Sequence, residues 1–141
     1  MLQPKKMTSN RQGLGLTKTK ITSDPSILII DDEPDICRLL QLSLVRHGYS
    51  VKYVHELKEG LSYLQQHQPD LLFLDIHLPD GSGLEALPVI KKKCPAMPVI
   101  TISAYDNGME KQTALNAGAA FFLPKPFSVK HIDELLGSLK Q

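Results

Sequence analysis

Four short apolar runs in this chain each stop at a side chain with chemistry to offer. Ile27-Leu28-Ile29-Ile30 ends in Asp31-Asp32, Leu71-Leu72-Phe73-Leu74 in Asp75, Val99-Ile100-Thr101-Ile102 in Ser103, and Phe121-Phe122-Leu123 runs through Pro124 to Lys125. Unbroken apolar runs of this length, bounded by turn residues, suit strands buried on both faces, as in a parallel sheet. The run into Asp75 is the most restrictive, because the loop Leu78-Pro79-Asp80-Gly81-Ser82-Gly83 follows at once. A single aspartate at the end of a strand usually only starts a turn. Here the pattern recurs, and in open α/β sheets the carboxyl ends of the strands are where ligands bind.

The segments between the runs have helical spacing. Ile36, Leu39, Leu40 and Leu44 fall three and four apart, with Pro34 in the first turn, Asp32 or Glu33 as the cap, and an end near His47-Gly48. Val51-Lys52-Tyr53-Val54 is a weaker second strand, followed by a helix through Leu57, Leu61 and Leu64. Gly60 is a blemish in that helix worth about 1 kcal/mol against Ala. Leu84, Leu87 and Ile90 mark a third helix, with Lys91-Lys92-Lys93 at the end that favours cations. A fourth is expected from about Asn107 to Ala117, stopped by Gly118, and a fifth through Val129, Ile132, Leu135, Leu136 and Leu139. Strand and helix alternate five times with short connections, which predicts one α/β domain: a parallel sheet with helices on both faces.

Composition agrees. The chain has 141 residues, 42% of them apolar and 22% charged, as in a soluble globular domain. No run approaches the roughly 18 apolar residues of a membrane span, and no apolar signal segment opens the chain, so a cytoplasmic protein is expected. Cys37 and Cys94 lack metal-binding spacing and are expected to be reduced and buried. Residues 1–26 read as a disordered basic leader, with 27–141 as the folded domain. Lys5, Lys6, Arg11, Lys18 and Lys20 against Asp24 give the leader +4, which leaves −3 for the rest of a chain of formal charge +1. A mildly acidic body argues against direct DNA binding by the domain. Gly13-Leu14-Gly15 lacks the preceding strand and third glycine of a dinucleotide loop.

In a parallel sheet the strand ends lie on one edge, so Asp31, Asp32, Asp75, Ser103 and Lys125 are expected to converge. Carboxylates so close repel one another unless a cation intervenes, and oxygen ligands suit Mg²⁺. A metal, an ammonium and a hydroxyl around one free carboxylate make a site for phosphoryl transfer. Asp75 would be the nucleophile, Lys125 would offset charge on the phosphoryl oxygens, and Ser103 would donate a hydrogen bond to them.

Ile29-Ile30-Asp31-Asp32-Glu33-Pro34, Leu74-Asp75-Ile76-His77-Leu78-Pro79-Asp80-Gly81-Ser82-Gly83, Ile102-Ser103-Ala104 and Lys125-Pro126-Phe127 together resemble the receiver (phosphoacceptor) domain of two-component response regulators. The likeness spans residues 27–140. It implies a flavodoxin-like, doubly wound five-stranded parallel sheet of order 2-1-3-4-5, an order the receiver domain of chemotaxis already exemplifies. It implies Asp75 as phosphoacceptor and Mg²⁺ held by Asp31, Asp32, Asp75 and the main-chain carbonyl of His77. Ser103 and Phe122 become the switch residues, Lys125 the conserved-type lysine, and Lys125-Pro126 a cis peptide. Implied partners are a sensor histidine kinase or phosphotransfer protein and, after phosphorylation, a homodimer or downstream protein meeting the face of the fourth helix, fifth strand and fifth helix. The domain would be a signalling module, not an enzyme, apart from self-phosphorylation and slow autodephosphorylation.

Three departures accompany the likeness. Phe122 stands where Tyr is frequent, so no hydroxyl can report its rotation; Val54 and Gly60 stand at alanine positions. His77 and Tyr105 flank the expected phosphoryl site. A Mg²⁺-dependent phosphohydrolase is the competing reading, but such enzymes want a second Asp two residues after the nucleophile, where His77 stands, and a cap insertion. A binding-only module is disfavoured by the intact set of Asp31, Asp32, Asp75, Ser103 and Lys125. With Gln141 so soon after the last helix, both a stand-alone receiver and a piece of a longer protein remain open.

Overall fold

The structure, a computed structural model, describes residues 24–104 and 108–139. Strands β1 (Ser26–Ile30), β2 (Ser50–Val54), β3 (Leu71–Asp75), β4 (Val99–Ser103) and β5 (Phe121–Pro124) pair in parallel, in the order β2-β1-β3-β4-β5. Helices α1 (Pro34–Arg46), α2 (Leu57–Gln66), α3 (Gly83–Lys93), α4 (Met109–Asn116) and α5 (Val129–Leu139) alternate with them. This is the doubly wound arrangement expected from the sequence. A small antiparallel hairpin, His77–Leu78 with Gly81–Ser82, fills the loop after β3. The leader through residue 23, Tyr105 and the expected helix start at Asn107 lie outside the described residues.

Side-chain alternation along the strands divides the core in two. Ile27, Ile29, Phe73, Ile100 and Ile102 meet Cys37, Leu40 and Leu44 of α1 and Ile132 and Leu136 of α5. Leu28, Ile30, Leu72 and Leu74 face the other way, onto Leu57 and Leu64 of α2, Leu87 and Ile90 of α3 and Ala114 of α4. Every residue of β3 and β4 is buried, which is why their sequences are apolar runs and not alternating ones. β2 is an edge strand with no buried residue, the physical reason its pattern is weak.

Local choices fix the helix ends. Pro34 occupies the first turn of α1, and Gly48 after it takes φ 91°, the left-handed conformation that ends helices. Lys91 reaches the carbonyls of Pro95 and Met97 at 3.1 and 2.7 Å, so part of the lysine run ties down the α3 C-terminus. Two expectations need correction. Glu33 holds the cap position of α1 without a side-chain cap bond, because its carboxylate is drawn to Lys125. Gly60 has a packing role that propensity alone does not show: a Cβ there would run into the Ile30 side chain, so alanine at this crossing of α2 and β1 would require Ile30 to shift. Cap chemistry also crosses the fold, since Asp80 accepts from the N–H groups of Leu57 and Lys58 at 2.8 and 2.9 Å. A carboxylate from the hairpin thus closes the start of α2.

Candidate functional site

Register carries the reactive residues to one edge. β1 pairs Ile30 with Leu74, so Asp31 emerges beside Asp75; β4 pairs Ile102 with Asp75, so Ser103 emerges just beyond. β5 pairs Pro124 with Ser103, and the Lys125 N–H donates to the Ser103 carbonyl at 2.8 Å, which aims the next side chain across the edge. The Lys125-Pro126 peptide is cis.

Lys125 is the hub. Its Nζ lies 3.1 Å from Asp31 Oδ2, 3.3 Å from Asp75 Oδ2 and 2.9 Å from Glu33 Oε1. The two aspartates are buried and Glu33 is exposed. Asp31 Oδ1 accepts the Glu33 N–H at 2.8 Å and Asp75 Oδ1 the His77 N–H at 3.0 Å. The Asp31 carbonyl is held in turn by His55 Nδ1 at 2.9 Å and Cys37 Sγ at 3.3 Å. Both cysteines are free and buried. Burial, then the charge of Asp31, pushes the Cys37 thiol up to about 12, which leaves it inert as a nucleophile.

Electrostatics mark the site as short of positive charge. Burial, with the charge of Asp31 beside it, raises Asp75 to about 6. Asp31 is also raised, chiefly by burial, against the pull of the Glu33 N–H and of Lys125. Burial works against the Lys125 ammonium, but the Glu33 hydrogen bond and the charges of Asp31 and Asp75 outweigh it and raise its pKa. Asp31, Asp32 and Asp75 offer oxygens all within 4.8 Å of one another. Asp31 Oδ2 is fully buried and accepts no well-aimed hydrogen bond; the ammonium stands at ion-pair distance but off the hydrogen-bonding direction. One lysine against this group of acids leaves a need that a hard divalent cation would meet.

Ser103 is fully buried, and its Oγ donates to Glu110 Oε1 at 2.6 Å. The other Glu110 oxygen lies 2.6 Å from His77 Nε2. Phe122 is half-buried and packs against the core cluster that includes Ala114 of α4. His55 and Glu110 were not singled out from sequence, and Glu33 was named there only as a helix cap. Glu33 follows the acidic pair directly and could have been read as part of the site; nothing in the α4 sequence points Glu110 at Ser103.

Comparison with known proteins gives a consistent family. The model of the response regulator receiver domain matches residues 27–137. The chain is 41% identical over 114 residues to the transcriptional regulatory protein YkoG of Bacillus subtilis, covering 81% of this chain and 49% of that protein. It is 34% identical over 114 residues to the transcriptional regulatory protein TrcR of Mycobacterium tuberculosis, covering 81% and 43%. The chain therefore spans less than half the length of these curated relatives. Its fold superposes on a CheY-like receiver domain protein from Methanospirillum hungatei with a TM-score of 0.78 at 31% identity, covering 83% of this chain and 94% of that one. With the sheet order, the acidic edge and the family match in agreement, the chain belongs to the response regulator receiver domains of two-component systems.

Proposed function

We propose that Asp75 accepts a phosphoryl group from a sensor histidine kinase or phosphotransfer protein, in a Mg²⁺-dependent reaction, and that the domain signals through the α4-β5-α5 face. The observation that carries this is the placement of Asp75: a buried carboxylate at the end of the central strand, in contact with Lys125 and within reach of Asp31 and Asp32. A carboxylate oxygen of Asp75 attacks phosphorus, the P–N bond to the donor imidazole breaks, and an acyl phosphate forms. With its pKa near 6, Asp75 is mostly ionised at neutral pH and so competent to attack. The His77 N–H orients Oδ1, and Lys125 is positioned to follow charge onto the phosphoryl oxygens. Asp31, Asp32, Asp75 and the His77 carbonyl would hold Mg²⁺, and the buried Asp31 Oδ2, which has only the Lys125 ammonium at ion-pair distance, supports that set. The bound ion supplies positive charge that offsets the crowded carboxylates and the incoming phosphoryl group.

Ser103 and Phe122 would carry the change outward: Ser103 turns toward the phosphoryl group and the Phe122 ring moves into the space behind it. The product is a changed surface for a second copy or a downstream protein. The mildly acidic body gives no footprint for DNA, and no helix among the described residues is long and apolar enough to cross a membrane. Treatment with acetyl phosphate and Mg²⁺ should add one phosphoryl mass to the intact protein, and Asp75→Asn should abolish the addition. Undiminished incorporation in the Asn variant would overturn the assignment.

A further inference from the structure

We propose that Glu110 is the positioning residue of the switch: it holds the Ser103 hydroxyl in the unphosphorylated protein and must release it before Ser103 can serve a phosphoryl group. This inference rests on Asp75 as the phosphoacceptor and adds the contact that sets how readily the switch turns. A serine hydroxyl has one hydrogen to donate, and that hydrogen is directed at Glu110 Oε1, 2.6 Å away. It cannot also be given to a phosphoryl oxygen, so the two states compete for one proton donor. Glu110 Oε2 lies 2.6 Å from His77 Nε2, so the same carboxylate joins the end of β4, the loop after Asp75 and the first turn of α4.

The setting gives this bond weight. The Glu110 side chain is only 16% exposed, and hydrogen bonds to a shielded charge are stronger than those on an open surface. Apolar packing holds α4 thinly: Ala114 is its one buried residue, and Met109 beside Glu110 is 76% exposed. Gly108, at φ 75°, leads into the helix and gives the chain a place to pivot. Loss of the Glu110 contacts therefore removes a tie between the end of β4 and the start of α4, which couples the strand edge to the signalling face. The alternative is that Glu110, as an acid in the first turn of a helix, merely complements the helix dipole.

A double-mutant cycle separates these roles in the full chain. Beryllofluoride with Mg²⁺ is titrated by NMR into wild type, Glu110→Ala, Ser103→Ala and the double variant, with Glu110→Gln as the substitution that keeps an acceptor. Glu110→Ala is expected to bind the analogue about three- to tenfold more tightly than wild type, with Glu110→Gln between them. In the Ser103→Ala background the same substitution should change binding by no more than about twofold, the scatter of uncoupled sites. Equal effects in both backgrounds, or weaker binding by Glu110→Ala, would overturn the proposal. Denaturant unfolding of the four proteins without analogue isolates its footing: binding intact but no Ser103–Glu110 coupling overturns the latch alone. Coupling present in a wild type that takes no beryllofluoride would instead overturn the Asp75 reading, and the proposal with it.

Discussion

At the scale of single residues the site is built under electrostatic tension. Asp75 and Asp31 both have raised pKa values because burial penalises their charged forms, and Asp31 adds to the burden on Asp75. The linkage has a definite sign. Unfolded Asp titrates near 3.9, whereas folded Asp75 keeps its proton up to about 6, so between those values the folded protein binds more protons. Without divalent cation, stability should therefore fall as pH rises from about 4 to 6, by on the order of 1–3 kcal/mol from Asp75, and then level off. Asp75→Asn should flatten that slope and melt higher than wild type at neutral pH. Denaturant titrations across the window check both outcomes; a metal-free wild type that gains stability over this range would contradict the account. Mg²⁺ should restore stability at neutral pH to wild type more than to Asp75→Asn.

At the scale of elements, the glycines of two helices separate propensity from packing. Gly60 and Gly137 both sit inside helices, where alanine is intrinsically better by roughly 0.5–1 kcal/mol. A Cβ at Gly137 meets nothing within 4 Å, so Gly137→Ala should stabilise by about that amount. A Cβ at Gly60 meets the Ile30 side chain, so Gly60→Ala should destabilise by about 1–3 kcal/mol as overpacking outweighs propensity. Urea unfolding of the two variants decides the matter, and a shift of the same sign in both would show the α2–β1 contact to be softer than its geometry implies. The helix positions themselves were legible from spacing: Leu57 and Leu64, Leu87 and Ile90, and Ile132, Leu135 and Leu136 are all buried as the periodicity demands. Gly60 was misjudged because propensity is a property of the helix, whereas the Ile30 contact belongs to the sheet beneath it. The Asp80 cap of α2 was missed for a related reason: its donors lie 22 and 23 residues away in sequence.

At the scale of the molecule, the sheet is a rigid frame with one thinly held flank. β3 and β4 are buried at every position, while on the flank α4 buries only Ala114 and Phe122 of β5, paired with Thr101, is half-buried. A ring that loses the rest of its solvent contact gains up to about 1.5–3 kcal/mol, enough to bias two arrangements of a surface without locking either. Beryllofluoride with Mg²⁺ should therefore shift NMR resonances across α4, β5 and α5 while leaving β1 and the outer face of α1 largely unmoved. Ser103→Ala should retain analogue binding but blunt the shifts around Phe122. Equal shifts in both proteins would break the proposed route from Asp75 to the surface.

The sequence by itself determined the class, the strand order through family likeness, and the membership of the edge. Buried parallel strands are predominantly apolar along their length and place charged side chains where they end, which writes Asp31 and Asp75, with Ser103, into the pattern. Tertiary structure alone decided where the side chains turn. Lys125 gathers Glu33 as well as Asp31 and Asp75, His55 holds the Asp31 carbonyl, and Glu110 accepts the Ser103 hydroxyl hydrogen bond. Each of these contacts joins side chains on different elements, and its geometry depends on register, helix rotation and helix tilt together. Periodicity specifies which face of an element is buried, but not which polar group on a neighbouring element waits at its end.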